Sequence, residues 1–134
     1  MTAVPVAIDL GSDTATRPTA AMLAAMTRAP VGDEQLGEDP TTAALEARVA
    51  DLLGKEAALF LPSGTMCNQI AMLVHCRPGD EIIGAEMTHV FTSEAGGVSA
   101  LAGAQTMGIR CPRGIFTADD VHASVRDPSG RHNP

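Results

Sequence analysis

Small and hydroxyl residues, Ser63, Gly64 and Thr65, stand where an apolar run gives way to a helical pattern. Glycine lets a ligand approach the backbone. The first N–H groups of a helix have no intrahelical partners and lie at the positive end of its dipole. Such a helix start can hold an anion, most often a phosphate. A capped helix start without any ligand explains the same residues equally well.

A histidine, His89, follows the short apolar run of residues 81–85, which we predict to be a buried strand. Ligands of open parallel sheets bind at the carboxyl ends of the strands, so we expect His89 and Gly64 to face one pocket. An imidazole there is suited to general-base catalysis near neutral pH, although a lone histidine is more often structural. The remaining histidines show no pattern of partners: His75, His122 and His132.

Strand and helix patterns alternate along the chain, which favours a mainly parallel α/β sheet covered by helices. Predicted strands cover residues 57–61, 81–85 and 104–109, and predicted helices cover 18–29, 40–53, 66–74, 93–101 and 117–126. The longest helix has a capping Asp39 before it and Gly54 after it. The glycine pair at 96–97 indicates close packing. Because three strands are few for such a sheet, we expect an incomplete domain.

Composition excludes several classes of partner. A chain of 134 residues with a net charge of −7 has no basic patch for nucleic acid or an anionic membrane. We find no signal peptide and no apolar run near the ~20 residues of a membrane span. The three cysteines lack metal-binding spacing, so we predict no metal site. Their odd number favours a reducing, cytoplasmic compartment. Two of them fall within a predicted helical run, and we predict that they are small buried thiols: Cys67 and Cys76.

Four motifs occur in order along the chain: residues 9–18, residues 31–41, residues 62–68, and His89 with residues 94–97. Together they resemble the low-specificity L-threonine aldolases, which are pyridoxal-phosphate enzymes of fold type I in the beta-eliminating lyase and threonine aldolase group. The resemblance runs from about residue 8 to residue 126. It implies that the chain is the N-terminal part of the large domain of such an enzyme.

The resemblance assigns cofactor roles to the residues already singled out. Ser63, Gly64 and Thr65 would hold the phosphate of pyridoxal 5′-phosphate. His89 would stack on the pyridine ring and would also be catalytic, because it would assist proton transfer at the substrate hydroxyl. The implied domains are an N-terminal arm over residues 1–17, a partial cofactor-binding α/β large domain over 18–126, and a loose tail over 127–134.

Substrate contacts are also implied by the resemblance. Ser12 would help bind the substrate carboxylate, and the acidic loop of residues 31–40 would reach toward a neighbouring subunit's site. Glu94 would support His89 or a water molecule. Three residues depart from the family pattern and put nearby substrate contacts in doubt: Gly11, Leu36 and Ser93.

The implied reaction cleaves L-threonine, L-allo-threonine or a related β-hydroxy amino acid to glycine and an aldehyde, in a homodimer or homotetramer. The family's Schiff-base lysine belongs to a later segment. Lys55, the one lysine here, lies before the predicted strand at the opposite edge of the sheet, so we expect a surface residue and an inactive chain. Two alternatives stay open: a β-eliminating amino-acid lyase, or a non-catalytic fragment that binds phosphate or docks onto a subunit.

Overall fold

The computed structural model describes residues 8–126. Its contacts divide the chain into two compact units, with the boundary between Phe60 and Leu61. The predicted arm over 1–17 and large domain over 18–126 stay a prediction, and the predicted tail over 127–134 lies outside the described residues. No helix of the described part is long and apolar enough to cross a membrane.

The first α-helix of the first unit is α1, Ala20–Met26, and it follows a 3₁₀ turn, Asp13–Ala15. The hydroxyl of Thr19 caps this helix by accepting the Met22 N–H at 3.2 Å. The predicted start at Pro18 is therefore wrong. A threonine hydroxyl can satisfy a free N–H of the first turn, which proline cannot do, so the helix begins one residue after the threonine.

Helix α2, Pro40–Leu53, is the longest helix of this unit, and its predicted ends are confirmed. Asp39 accepts the Thr42 N–H at 2.7 Å, and Gly54 ends the helix in the left-handed conformation with φ 61°. Apolar residues recur along α2 at helical spacing, but few of them are buried. Ala50 is buried, whereas larger side chains at this spacing are exposed: Leu45, Leu52 and Leu53.

The second unit contains a sheet of two parallel strands, β1 (Glu81–Ala85) and β2 (Gln105–Ile109). They pair in register, from Glu81 with Gln105 to Ala85 with Ile109. This arrangement confirms the predicted α/β class, the two later strands and their parallel direction.

The predicted strand over residues 57–61 is not formed. A strand requires a neighbouring strand to hydrogen-bond with, and β1 and β2 pair only with each other among the described residues. The Phe60 N–H instead donates to the carboxylate of Glu46 at 2.7 Å. Leu59 and Phe60 are more than half exposed, so this segment is also not buried as predicted.

Helix α3, Gly64–His75, packs against the π-helical segment Val98–Ala102 of the same unit. The buried cluster there consists of Val98, Ala102 and Ala104, and Met72 and Cys76 of the helical segment contact it. The other apolar residues of α3 that recur at helical spacing are exposed or half-buried: Met66, Ile70, Leu73 and Val74. Cys67 is exposed and Cys76 half-buried, so the prediction of two buried thiols is wrong.

The chain between the two strands differs from the single helix predicted over 93–101. It forms a short helix α4, His89–Thr92, then a turn, then the π-helical segment Val98–Ala102. The turn contains left-handed residues, Ala95 at φ 54° and Gly96 at φ 71°. Those dihedral angles cannot continue a right-handed helix. After β2, helix α5, Ala118–Ser124, completes the described part.

Candidate active site

The start of α3 has the geometry of a capped helix with an open approach to its backbone. Ser63 is the cap, and its hydroxyl accepts the Met66 N–H at 3.1 Å. Gly64 and Thr65 follow, exposed, and among the described residues their N–H groups have no acceptor. A Cβ at Gly64 would meet nothing within 4 Å. The cap interpretation is thus confirmed, while two backbone N–H groups remain for an anion.

His89 opens helix α4, just beyond the carboxyl end of β1, and is paired with a buried carboxylate. Its Nδ1 lies 2.8 Å from Oε1 of Glu94. The side chain of Glu94 is 0% exposed, whereas that of His89 is 64% exposed. The pair therefore has a fixed, buried end and a ring that faces solvent.

Two neighbouring side-chain amides of α3 also donate hydrogen bonds to this carboxylate. Nδ2 of Asn68 donates to Oε1 of Glu94 at 2.6 Å, and Nε2 of Gln69 donates to Oε2 at 2.6 Å. Asn68 lies one helical turn beyond Gly64. One helix therefore carries both the exposed N–H groups and the amides that hold the partner of His89.

Hydrogen bonds lower the pKa of the Glu94 carboxyl below its ordinary 4.5, although burial acts in the opposite direction. The hydrogen bond from Asn68 has the largest effect, and the one from His89 the second largest. Glu94 is consequently a carboxylate at neutral pH and can only accept hydrogen bonds. Nδ1 of His89 must then carry the proton. In the neutral ring, the lone pair is on Nε2, which can accept a proton from a ligand on the exposed side.

The turn that presents Glu94 depends on a glycine. A Cβ at Gly97 would overlap the side-chain amide of Gln69. This contact confirms the prediction that something packs closely at the glycine pair. Gln69 is buried and was not anticipated, although its spacing from Met72 and Cys76 on the packed face of α3 was a usable signal.

The structure groups some of the predicted site residues and leaves others separate. Gly64, Thr65 and His89 belong to the same unit. Ser12 belongs to the other unit, where it caps a short turn by accepting the Thr14 N–H at 3.3 Å. Its predicted role stays a prediction. Lys55 is exposed and follows the end of α2.

In the predicted acidic loop, the Gly32 N–H donates to Asp39 at 3.0 Å. Its predicted reach toward a neighbouring subunit also stays a prediction.

The parallel sheet and its flanking helices define an α/β protein, a class whose ligands bind at the carboxyl edge of the sheet. The model of the beta-eliminating lyase family matches residues 9–134. The chain belongs to this family, which is pyridoxal-phosphate dependent.

Curated relatives agree with the family. The chain is 45% identical over 130 residues to a probable low-specificity L-threonine aldolase 2 of Arabidopsis thaliana, covering 95% of this chain and 37% of that protein. It is 52% identical over 120 residues to the low specificity L-threonine aldolase of Escherichia coli K12, covering 89% of this chain and 36% of that protein. The predicted resemblance is confirmed. The chain spans little more than a third of the length of these relatives.

Proposed function

We propose that this chain is the N-terminal part of a pyridoxal-phosphate enzyme that cleaves L-threonine, L-allo-threonine or related β-hydroxy amino acids to glycine and an aldehyde. The family match and the names of the relatives support the class of reaction. The observation that carries the proposal is the His89–Glu94 pair beside the start of α3, because it supplies a base where this reaction needs one.

The residues present fit two parts of the cofactor. The N–H groups of Gly64 and Thr65, with open space above Gly64, suit a phosphate, and the hydroxyl of Thr65 adds a donor. Ser63 contributes less than the sequence suggested, because its hydroxyl is occupied as the helix cap. The exposed imidazole of His89 offers a flat surface for an aromatic ring. When bound, the cofactor supplies an electron sink for cleavage of the Cα–Cβ bond.

Proton transfer is the step this chain can perform. Because Glu94 holds the proton on Nδ1 of His89, Nε2 is free to accept the proton of the substrate's β-hydroxyl. The resulting imidazolium is stabilised by the adjacent carboxylate, which avoids an isolated charge beside a buried surface. Ser12 would help bind the substrate carboxylate, as the family resemblance implies.

Assembly and location are further parts of the proposal. We propose a homo-oligomer, either a dimer or a tetramer, that works in glycine metabolism in the cytoplasm. The cysteines of the described part are free thiols, which favours a reducing compartment: Cys67, Cys76 and Cys111.

A chimera tests the function with the whole chain in place. The 134-residue chain would replace the matching 120-residue segment of the Escherichia coli enzyme, which supplies the remaining two-thirds of a family member. Incubation with L-threonine and pyridoxal phosphate should release glycine and acetaldehyde. His89→Ala should abolish most of this activity, and His75→Gln, an exposed histidine at the other end of α3, is the matched control.

Other outcomes identify the alternatives. Keto-acid release from L-serine without threonine cleavage would favour a β-eliminating lyase. A folded chimera that binds the cofactor but cleaves no β-hydroxy amino acid would contradict the proposal. Phosphate-dependent thermal stabilisation of the 134-residue chain, with no activity in the chimera, would favour a non-catalytic phosphate-binding fragment.

A further inference from the structure

Gln69 is an unusual residue for the packed face of a helix. It is 9% exposed, and its side-chain amide lies against Gly97, the residue before the buried Val98. Its Nε2 donates to Glu94, but its Oε1 has no hydrogen-bond partner among residues 8–126. A buried acceptor without a partner destabilises a fold, so an apolar residue would suit this position better for packing alone.

The orientation of this amide follows from its partner. With the amide turned over, Oε1 of Gln69 would face the carboxylate of Glu94, and two acceptors would repel each other. The observed orientation makes a charge-assisted hydrogen bond and leaves Oε1 against Gly97. Holding the carboxylate therefore explains both the burial of the amide and its unpaired oxygen.

Asn68 and Gln69 donate to different oxygens of the Glu94 carboxylate. Asn68 donates to Oε1 and Gln69 to Oε2, each at 2.6 Å. A carboxylate held at both oxygens cannot rotate about its terminal bond without losing a donor. Oε1 of Glu94 is thereby kept at 2.8 Å from Nδ1 of His89.

We propose that Asn68 and Gln69 are positioning residues that hold Glu94 so that it fixes the tautomer and the ring orientation of His89. The inference deepens the proposed aldolase function and rests on it for its catalytic meaning. Both amides belong to α3. The helix whose first turn is proposed to hold phosphate therefore also determines the orientation of the His89 ring.

The first test measures the tautomer of His89 in the 134-residue chain with ¹⁵N-labelled histidine, by long-range ¹H–¹⁵N correlation in mildly alkaline solution. The unaltered chain should show the proton on Nδ1. Gln69→Leu and Asn68→Leu should each shift His89 toward the Nε2–H form that free histidine favours. Gln105→Leu, the same change at an exposed glutamine, should have no effect, and His75 and His122 are internal references.

Gln69→Leu separates positioning from packing, because leucine fills the volume and removes the unpaired oxygen. The variant should be at least as stable as the unaltered chain and still lose the tautomer preference. A His89 that keeps its proton on Nδ1 in both folded variants would overturn the proposal. Random-coil shifts for every histidine of the unaltered chain would overturn it too, because the network would then not form.

The second test uses the chimera. Each variant should lower kcat roughly tenfold, the size of one hydrogen bond to a charged group, with KM and cofactor content little changed. Loss of cofactor content together with an unchanged tautomer would assign these residues a merely structural role and overturn the proposal. If the unaltered chimera is inactive, the proposed function fails, but the tautomer measurement still decides whether the amides position His89.

Discussion

Replacing Gly97 with alanine should destabilise the unit that carries His89. Gly97 has an ordinary helical conformation, with φ −56° and ψ −35°, so alanine is not strained by the backbone. The added Cβ would overlap the Gln69 amide and lie 2.7 Å from its Nε2. The amide must move, and its hydrogen bond to Glu94 is lost.

Two opposing effects set the magnitude. Gly→Ala at a compatible position stabilises by about 0.4–1 kcal/mol because the unfolded chain loses freedom. A buried hydrogen bond to a charged group contributes about 1.5–3 kcal/mol. The loss of the bond is larger, so we expect the free energy of unfolding to fall by about 1–2 kcal/mol.

Urea unfolding followed by far-UV circular dichroism is the suitable assay, because the chain has no Trp or Tyr for fluorescence. The control is a double-mutant cycle with Gln69→Ala, in which the partner amide is already absent. Gly97→Ala should then be neutral or slightly stabilising. An equal cost in both backgrounds, or no cost in the unaltered chain, would refute the contact on which the reasoning depends.

Three further changes test other parts of the structure. Gly64→Ala should stabilise the isolated chain by about 0.4–1 kcal/mol, since nothing lies near its Cβ, yet weaken phosphate and cofactor binding measured by titration. Asp39→Ala should cost about 1 kcal/mol in urea unfolding through loss of the α2 cap. The pKa of Glu94 is lowered in the folded chain, so its ionised carboxylate adds to the free energy of unfolding above pH 4.5. This stabilisation is lost as the pH falls through the lower pKa of the folded state. Urea unfolding at a series of pH values should show less acid destabilisation in Glu94→Gln than in the unaltered chain.

Local features were predictable from the sequence. The ends of α2 depend on Asp39 and Gly54, which lie within a residue of the helix they bound, and both behave as predicted. β1 and β2 are short strands separated by a crossover, which is the usual pattern of parallel neighbours. The start of α3 and the place of His89 after β1 follow from the same reasoning.

Features that depend on distant partners were not predictable in the same way. Residues 57–61 have the composition of a strand, but a strand also needs a paired neighbour, and none is formed here. The sequence of α3 offers more than one apolar stripe. Only its contact with the π-helical segment Val98–Ala102 decides which stripe is buried. The spacing of apolar residues predicts that this segment is a helix, but the element that packs against the helix determines which of its faces is buried.

In the candidate site, too, the locally determined residues were predictable and those that depend on distant partners were not. The helix start and His89 were predicted, and support of His89 by Glu94 was expected from the resemblance. Gln69 was missed because a polar residue on a helix draws notice only once its face is known to be buried. The tautomer of His89 likewise depends on the carboxylate of Glu94, which lies five residues away, beyond the end of α4.

Threonine cleavage by the chimera tests the central claim most directly, namely that this chain supplies the base and the phosphate contacts of an aldolase. The chimera should release glycine and acetaldehyde from L-threonine, with loss of most activity in His89→Ala and retention in His75→Gln. A chimera that folds and holds its cofactor, yet cleaves threonine equally well with and without His89, would contradict it.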